Sequence, residues 1–118
     1  MSEHTIRLPW VTPPLSLNDR SHWRTKAAKT AEVRGTVKLL LRGIEPATRV
    51  AILLTYTPRD KRRRDRTNLV ATYKACVDGC VDAGLIPDDT PQYLDELMPE
   101  IGAPDGDPRL ELTIRRLP

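Results

Sequence analysis

The chain has 118 residues, enough for one domain with a real core and too few for two. Apolar residues make up 39% of it, a lean share that favours a small fold with wide polar faces. No stretch approaches the roughly 20 apolar residues of a bilayer span, and the N-terminus lacks a signal peptide's apolar core, so the expectation is a cytoplasmic protein with no membrane partner.

In chain order, Thr5 to Trp10 alternates, with Ile6, Leu8 and Trp10 on one face, and is predicted as a strand. Pro9 and the pair Pro13-Pro14 disfavour its continuation and lead into a loop. "SLNDRSHW" offers several N-caps, after which Trp23 to Arg42 has helical composition. Val33, Val37, Leu40 and Leu41 form its apolar stripe, and Gly43 is its stop. "TRVAILLTYTP", from Thr48 to Pro58, is rich in β-branched residues and predicts a buried strand.

A basic loop follows. Thr67 or Asn68 then caps a second helix. Its Leu69, Tyr73, Cys76, Val77 and Cys80 fall within an arc of about 100° and are assigned to the core. The opposite arc, about 80° wide, carries Thr67, Ala71, Lys74, Asp78 and Asp82. Gly84 ends the helix. Cys76 and Cys80, one turn apart, are too few for a disulfide framework, and CxxxC alone is a weak metal signal, so both are expected as small core residues. Beyond lie "LIPDDTP" with its acidic pair, weak strand signals in "QYLDELMPEI", and a turn-rich "GAPDGDP". The closing "RLELTIRRL" alternates Leu110, Leu112 and Ile114. The order β-α-β-α-β-β predicts a single α+β domain over residues 1–118, with two helices on one mixed sheet.

The net charge of +3 is modest but unevenly spread. Between Arg59 and Arg66 stand six basic residues and two acidic ones, whereas Ala75 to Pro108 holds nine acidic residues and no Lys or Arg. Such segregation suits a basic patch for a polyanion beside a region that holds cations, or simply two solvated surfaces. Asp65, Asp88 and Asp89 gather at one point if the loop after the second strand and the loop after the second helix share an edge. Their hard oxygens suit Mg²⁺ or Mn²⁺, which phosphodiester hydrolysis uses to neutralise developing charge and activate water. Flanking arginines would hold a nucleic-acid backbone. The plainer reading of Asp88-Asp89 is turn chemistry. His4 and His22 sit in no recognisable motif, and nothing supports a serine or cysteine triad.

"KRRRDRTNL…KACVDGCVDAGLIPDD" resembles the signature of the RusA-type Holliday-junction resolvases: basic residues, D-x-D-N-L, K-A-x-x-D-A-L-x-x-A-G and a final D-D. "TIRLPW", with its proline-rich loop and Asn, and "RLELTI" are similar to that family's opening and closing strands, so the likeness covers nearly the whole chain. It implies a homodimeric, Mg²⁺-dependent endodeoxyribonuclease, with Mn²⁺ a substitute, that binds four-way DNA junctions and resolves them by paired symmetric nicks. A bacterial or phage-infected cell is the setting it suggests.

By this resemblance Asp65 matches the first motif aspartate, Asn68 the motif Asn, and Asp89 the second of the acidic pair. Lys74 matches the motif lysine after a three-residue insertion, Ala71 to Tyr73. The implied roles are metal ligation by Asp65 and Asp89, with Asp88 as a third ligand or a partner of one. Lys74 would stabilise the phosphate or the leaving oxygen, and Arg59, Lys61, Arg62, Arg63, Arg64 and Asn68 would bind DNA. The chain departs from the pattern at Thr67, where a second aspartate is expected. Either Asp78, Asp82 or Asp88 fills that role, or Thr67 holds a water in its place. The remaining alternative is a protein that binds junctions and cuts them poorly or not at all.

Overall fold

The computed structural model describes residues 3–16 and 22–118. The elements are β1 (Glu3–Arg7), α1 (Trp23–Leu40), β2 (Val50–Thr57), a 3-10 turn (Arg66–Leu69), α2 (Val70–Asp82), β3 (Leu94–Glu96), β4 (Glu100–Ile101) and β5 (Arg109–Arg116). The sheet runs β1-β5-β2-β3, with β4 also paired to β2. β5 is antiparallel to both β1 and β2, while β3 and β4 lie parallel to β2, so the sheet is mixed and the fold is α+β as expected.

The alternation of β2 and β5 explains where the core sits. Ile52 pairs with Ile114, Leu54 with Leu112 and Tyr56 with Leu110, and all of them are buried. They form one cluster with Val33, Val37 and Leu41 from α1 and its end, with Leu69 from the 3-10 turn, and with Tyr73, Cys76, Val77 and Cys80 from α2. Every residue assigned to the inner face of α2 is therefore buried, both thiols included. Burial raises both thiols, Cys80 to about 12, so neither is a ready thiolate. The Tyr73 hydroxyl donates to the Ile52 carbonyl at 2.9 Å and ties α2 to the central strand.

Where α1 and α2 cross, their backbones nearly touch. A Cβ on Gly79 would lie 2.7 Å from the Val37 Cβ and 2.9 Å from the Arg34 carbonyl oxygen, so only glycine permits the approach. Beside this contact Arg34 grips Asp82 through two hydrogen bonds, of 3.0 and 2.9 Å. Gly43 (φ 78°) and Gly84 (φ 83°) adopt the left-handed conformation just past each helix, the stop signals read from the sequence.

Four local expectations change. The first strand is Glu3–Arg7, so Trp10 lies beyond it. Leu40 is the last residue of α1 and is 44% exposed, because the stripe continues instead through Leu41. The predicted cap at Thr67 or Asn68 is replaced by Asp65, which caps the 3-10 turn leading into α2. "QYLDELMPEI" forms two short strands, since Leu97, Met98 and Pro99 interrupt pairing along β2. Among the α1 cap candidates His22 serves, its Nδ1 accepting from the Arg24 N–H at 3.2 Å. Leu17 to Ser21 lie outside the described residues. No helix among the described residues is long and apolar enough to cross a membrane.

Candidate functional site

The basic loop after β2 is organised by an acid the sequence reading did not use. Asp60 accepts the Arg62 backbone N–H at 3.1 Å and the Arg64 guanidinium at 2.8 Å, with Arg59 and Arg62 each 3.6 Å away. Arg64 also donates to the carbonyls of Asp60 and Arg62, at 2.8 and 2.9 Å, and its guanidinium lies 5.8 Å from the Tyr56 ring centroid. The Arg64 contact, more than any other, holds the Asp60 carboxyl below its ordinary range. Arg64 is thus a brace within the loop, only 21% exposed, whereas Arg59 and Arg62 are 73% and 72% exposed. Lys61 and Arg63 form no ion pair among the described residues.

Arg63, Arg64, Asp65 and Asn68 line one open cleft of about 710 Å³, together with Tyr56, Ile101, Pro13 and Ser16. Asp65 is extended (φ −111°, ψ 126°), and its carboxylate accepts the Thr67 N–H at 3.2 Å. That bond, then the Thr67 side chain, and then the charges of Arg63 and Arg66 depress the Asp65 pKa and keep it ionised. Thr67, the departure from the motif, therefore supports Asp65 directly.

Lys74 projects from the outer face of α2 and is ion-paired with Asp89, and with Asp78 at 3.4 Å. Asp89 raises the Lys74 pKa, and Lys74 lowers that of Asp89. Asp88 folds back so that its Oδ1 accepts the Asp89 N–H at 2.8 Å. Asp82, further along the same helical face, is held by Arg34 instead.

The predicted residues thus form two groups. Asp65, Arg63, Arg64 and Asn68 share the cleft, and Lys74, Asp78, Asp89 and Asp88 share the turn beside α2. Among the described residues no three His, Cys, Asp or Glu side chains converge as a ready-made metal cage. The donor chemistry nevertheless fits Mg²⁺, a hard cation that takes one or two carboxylates and completes its shell with water and substrate phosphate. Asp65 in the cleft and Asp89 at the turn are both held ionised and each offers such an oxygen ligand, with Asp88 adjoining Asp89. Tyr56 and Asp60 were missed in the sequence; the Asp60-to-Arg64 spacing of four was the available signal, hidden among so many arginines.

No protein-family profile matches the chain, and no curated protein matches it at a significant level.

Proposed function

We propose that this protein is a metal-dependent, structure-selective endodeoxyribonuclease of the RusA type, which binds four-way DNA junctions and resolves them by paired nicks. The observation that carries this reading is the ion pair of Lys74 with Asp89, residues 15 apart in the chain that the resemblance singles out independently. The insertion ahead of Lys74 is also accommodated. α2 runs unbroken from Val70 to Asp82, so a shift of three residues from Ala71 to Lys74 moves the amine one turn along the same face.

In this reading Arg59, Lys61, Arg62 and Arg63 take backbone phosphates, and Asn68 contributes its amide at the cleft. Asp65 and Asp89 would hold Mg²⁺, which would supply charge neutralisation at the reacting phosphate and a more acidic attacking water. Lys74, released from Asp89 or shared with it, meets charge developing on the leaving oxygen. A twofold pair of subunits would nick the junction symmetrically.

A second reading, junction binding with little cleavage, is favoured by one observation: Thr67 offers Asp65 hydrogen bonds where the motif offers a second carboxylate. Incubating the protein with an end-labelled four-way junction and Mg²⁺ or Mn²⁺ separates the two. Paired symmetric nicks support the nuclease, a gel shift without nicks supports the binder, and neither result sinks both.

A further inference from the structure

We propose that Trp23 is a stacking platform for an unpaired nucleobase, with Arg24 and Lys26 beside it taking the flanking phosphates. Trp23 is 66% exposed, more than any other large apolar side chain among the described residues. It is nevertheless held in place. It opens α1, and the bond from the Arg24 N–H to the His22 Nδ1 fixes the residues on either side of it. The His22 ring lies 5.6 Å from the indole at a tilt of 32°, and the Arg24 guanidinium sits 5.3 Å from the indole centroid, within cation–π reach. Aromatic rings and guanidinium planes are the surfaces on which splayed-out bases stack, whatever their sequence.

Charge and shape select the occupant. α1 carries Arg24, Lys26, Lys29, Arg34 and Lys38 against Glu32 alone. Arg34 is held by Asp82, whereas Arg24 and Lys26 form no ion pair among the described residues. Both stand in a first turn that has no acid, against the helix dipole, and a phosphate beside them relieves that repulsion. No other large apolar side chain is exposed in the first two turns of α1. A protein partner or a bilayer would need a wider apolar patch, but one base covers one indole. The strand directions bring this platform to the cleft's end of the molecule. β1 and β2 are both antiparallel to β5, hence parallel to each other, and β3 is parallel to β2. α1 and α2 therefore both cross back over the sheet and begin where β2 finishes, the end that holds Tyr56 and Asn68. Ser16, in the cleft wall, precedes Trp23 by seven residues, so the two lie at most about 25 Å apart. One DNA strand covers that distance in about seven nucleotides.

The platform rests on the reading of this chain as a DNA-binding protein and adds to it a contact with bases. In the full chain carrying Trp10→Phe, Trp23 is the sole tryptophan, and a stacked base quenches its fluorescence. The probes are a short oligothymidylate, an abasic strand of equal length and phosphatidylglycerol vesicles. Oligothymidylate should quench Trp23, and the abasic strand, with the same phosphates and no bases, should not. In the otherwise unaltered chain, Trp23→Ala should weaken oligothymidylate binding about tenfold and Trp23→Phe should recover most of it. The salt slope and the melting temperature should stay unchanged in both, because no cation and no buried contact is lost. Equal quenching by the two strands, or undiminished binding by Trp23→Ala, overturns the platform. So does a response to vesicles with none to either strand, which assigns the surface to a membrane. Junction nicking with undiminished binding by Trp23→Ala removes the platform and leaves the nuclease standing. Base-dependent quenching by a protein that never nicks junctions supports the platform and counts against the nuclease alone.

Discussion

The Thr72 hydroxyl donates to the Leu15 carbonyl at 2.9 Å and accepts the Leu15 N–H at 3.1 Å, so one buried side chain satisfies both backbone groups of a loop residue. It pins the proline-rich segment, whose Pro13 and Ser16 line the cleft, to α2. Thr72→Val keeps the shape and strands both groups away from water, at a cost of about 2 to 4 kcal/mol. Urea denaturation should show a lower midpoint with an unchanged slope, and Thr72→Ser should recover most of the loss.

The two helical glycines should respond with opposite signs. Gly79→Ala drives a methyl into Val37 and the Arg34 carbonyl and should destabilise by about 2 to 4 kcal/mol. Gly35→Ala meets nothing within 4 Å and should stabilise α1 by about 0.5 to 1 kcal/mol. Thermal melts of the two variants side by side check this.

The arginines of the basic run should separate by role. Arg63→Ala should reduce the slope of log K for junction binding against log salt by about 0.9, and the triple change at Arg59, Arg62 and Arg63 by about 2 to 3. Arg64→Ala removes the brace on Asp60 and should lower the melting temperature, an effect absent from Arg63→Ala. Salt titrations paired with melts distinguish the two outcomes.

At the acidic turn, Asp65→Asn and Asp89→Asn should each abolish nicking while junction binding survives or improves, since phosphate repulsion falls. Lys74→Met should slow nicking by roughly 10² to 10³ and return the Asp89 pKa toward the ordinary carboxylate range. Thr67→Asp should raise nicking at low Mg²⁺ by about tenfold. Should it instead be neutral or harmful, with Asp78→Asn or Asp88→Asn as damaging as Asp65→Asn, another acid already fills the vacant place.

Acid should weaken the fold in a defined window. Asp82 and Asp89 have depressed pKa values, chiefly through Arg34 and Lys74 respectively, relative to an unfolded reference of 3.8. Below 3.8 the unfolded chain takes up protons first, so the stabilisation is complete above that pH and is lost as pH falls through the folded values. These pairs are partly exposed and screened, so added salt should flatten the dependence. Melting temperatures from about pH 5 down to about pH 2.5, at low and high ionic strength, measure both effects.

Periodicity alone determined the inner face of α2, the alternation of β5 and the order of the main elements. An apolar repeat is a local property, and Leu69, Tyr73, Cys76, Val77 and Cys80 are buried wherever that helix docks. Composition likewise marked where charge is dense. Only the tertiary structure decided what each charge does. Arg63 and Arg64 are adjacent, chemically identical and both line the cleft, yet Asp60 and Tyr56 claim Arg64 and not Arg63. Asp82 and Asp78 share a helical face, yet Arg34, 48 residues before Asp82, claims the first and Lys74 the second. The division of residues 94–101 into two strands depends on β2 being their neighbour, and the exposure of Leu40 on where α1 stops against the sheet edge. A side chain's type is written in the chain, but its partner is fixed by which distant segments pack together.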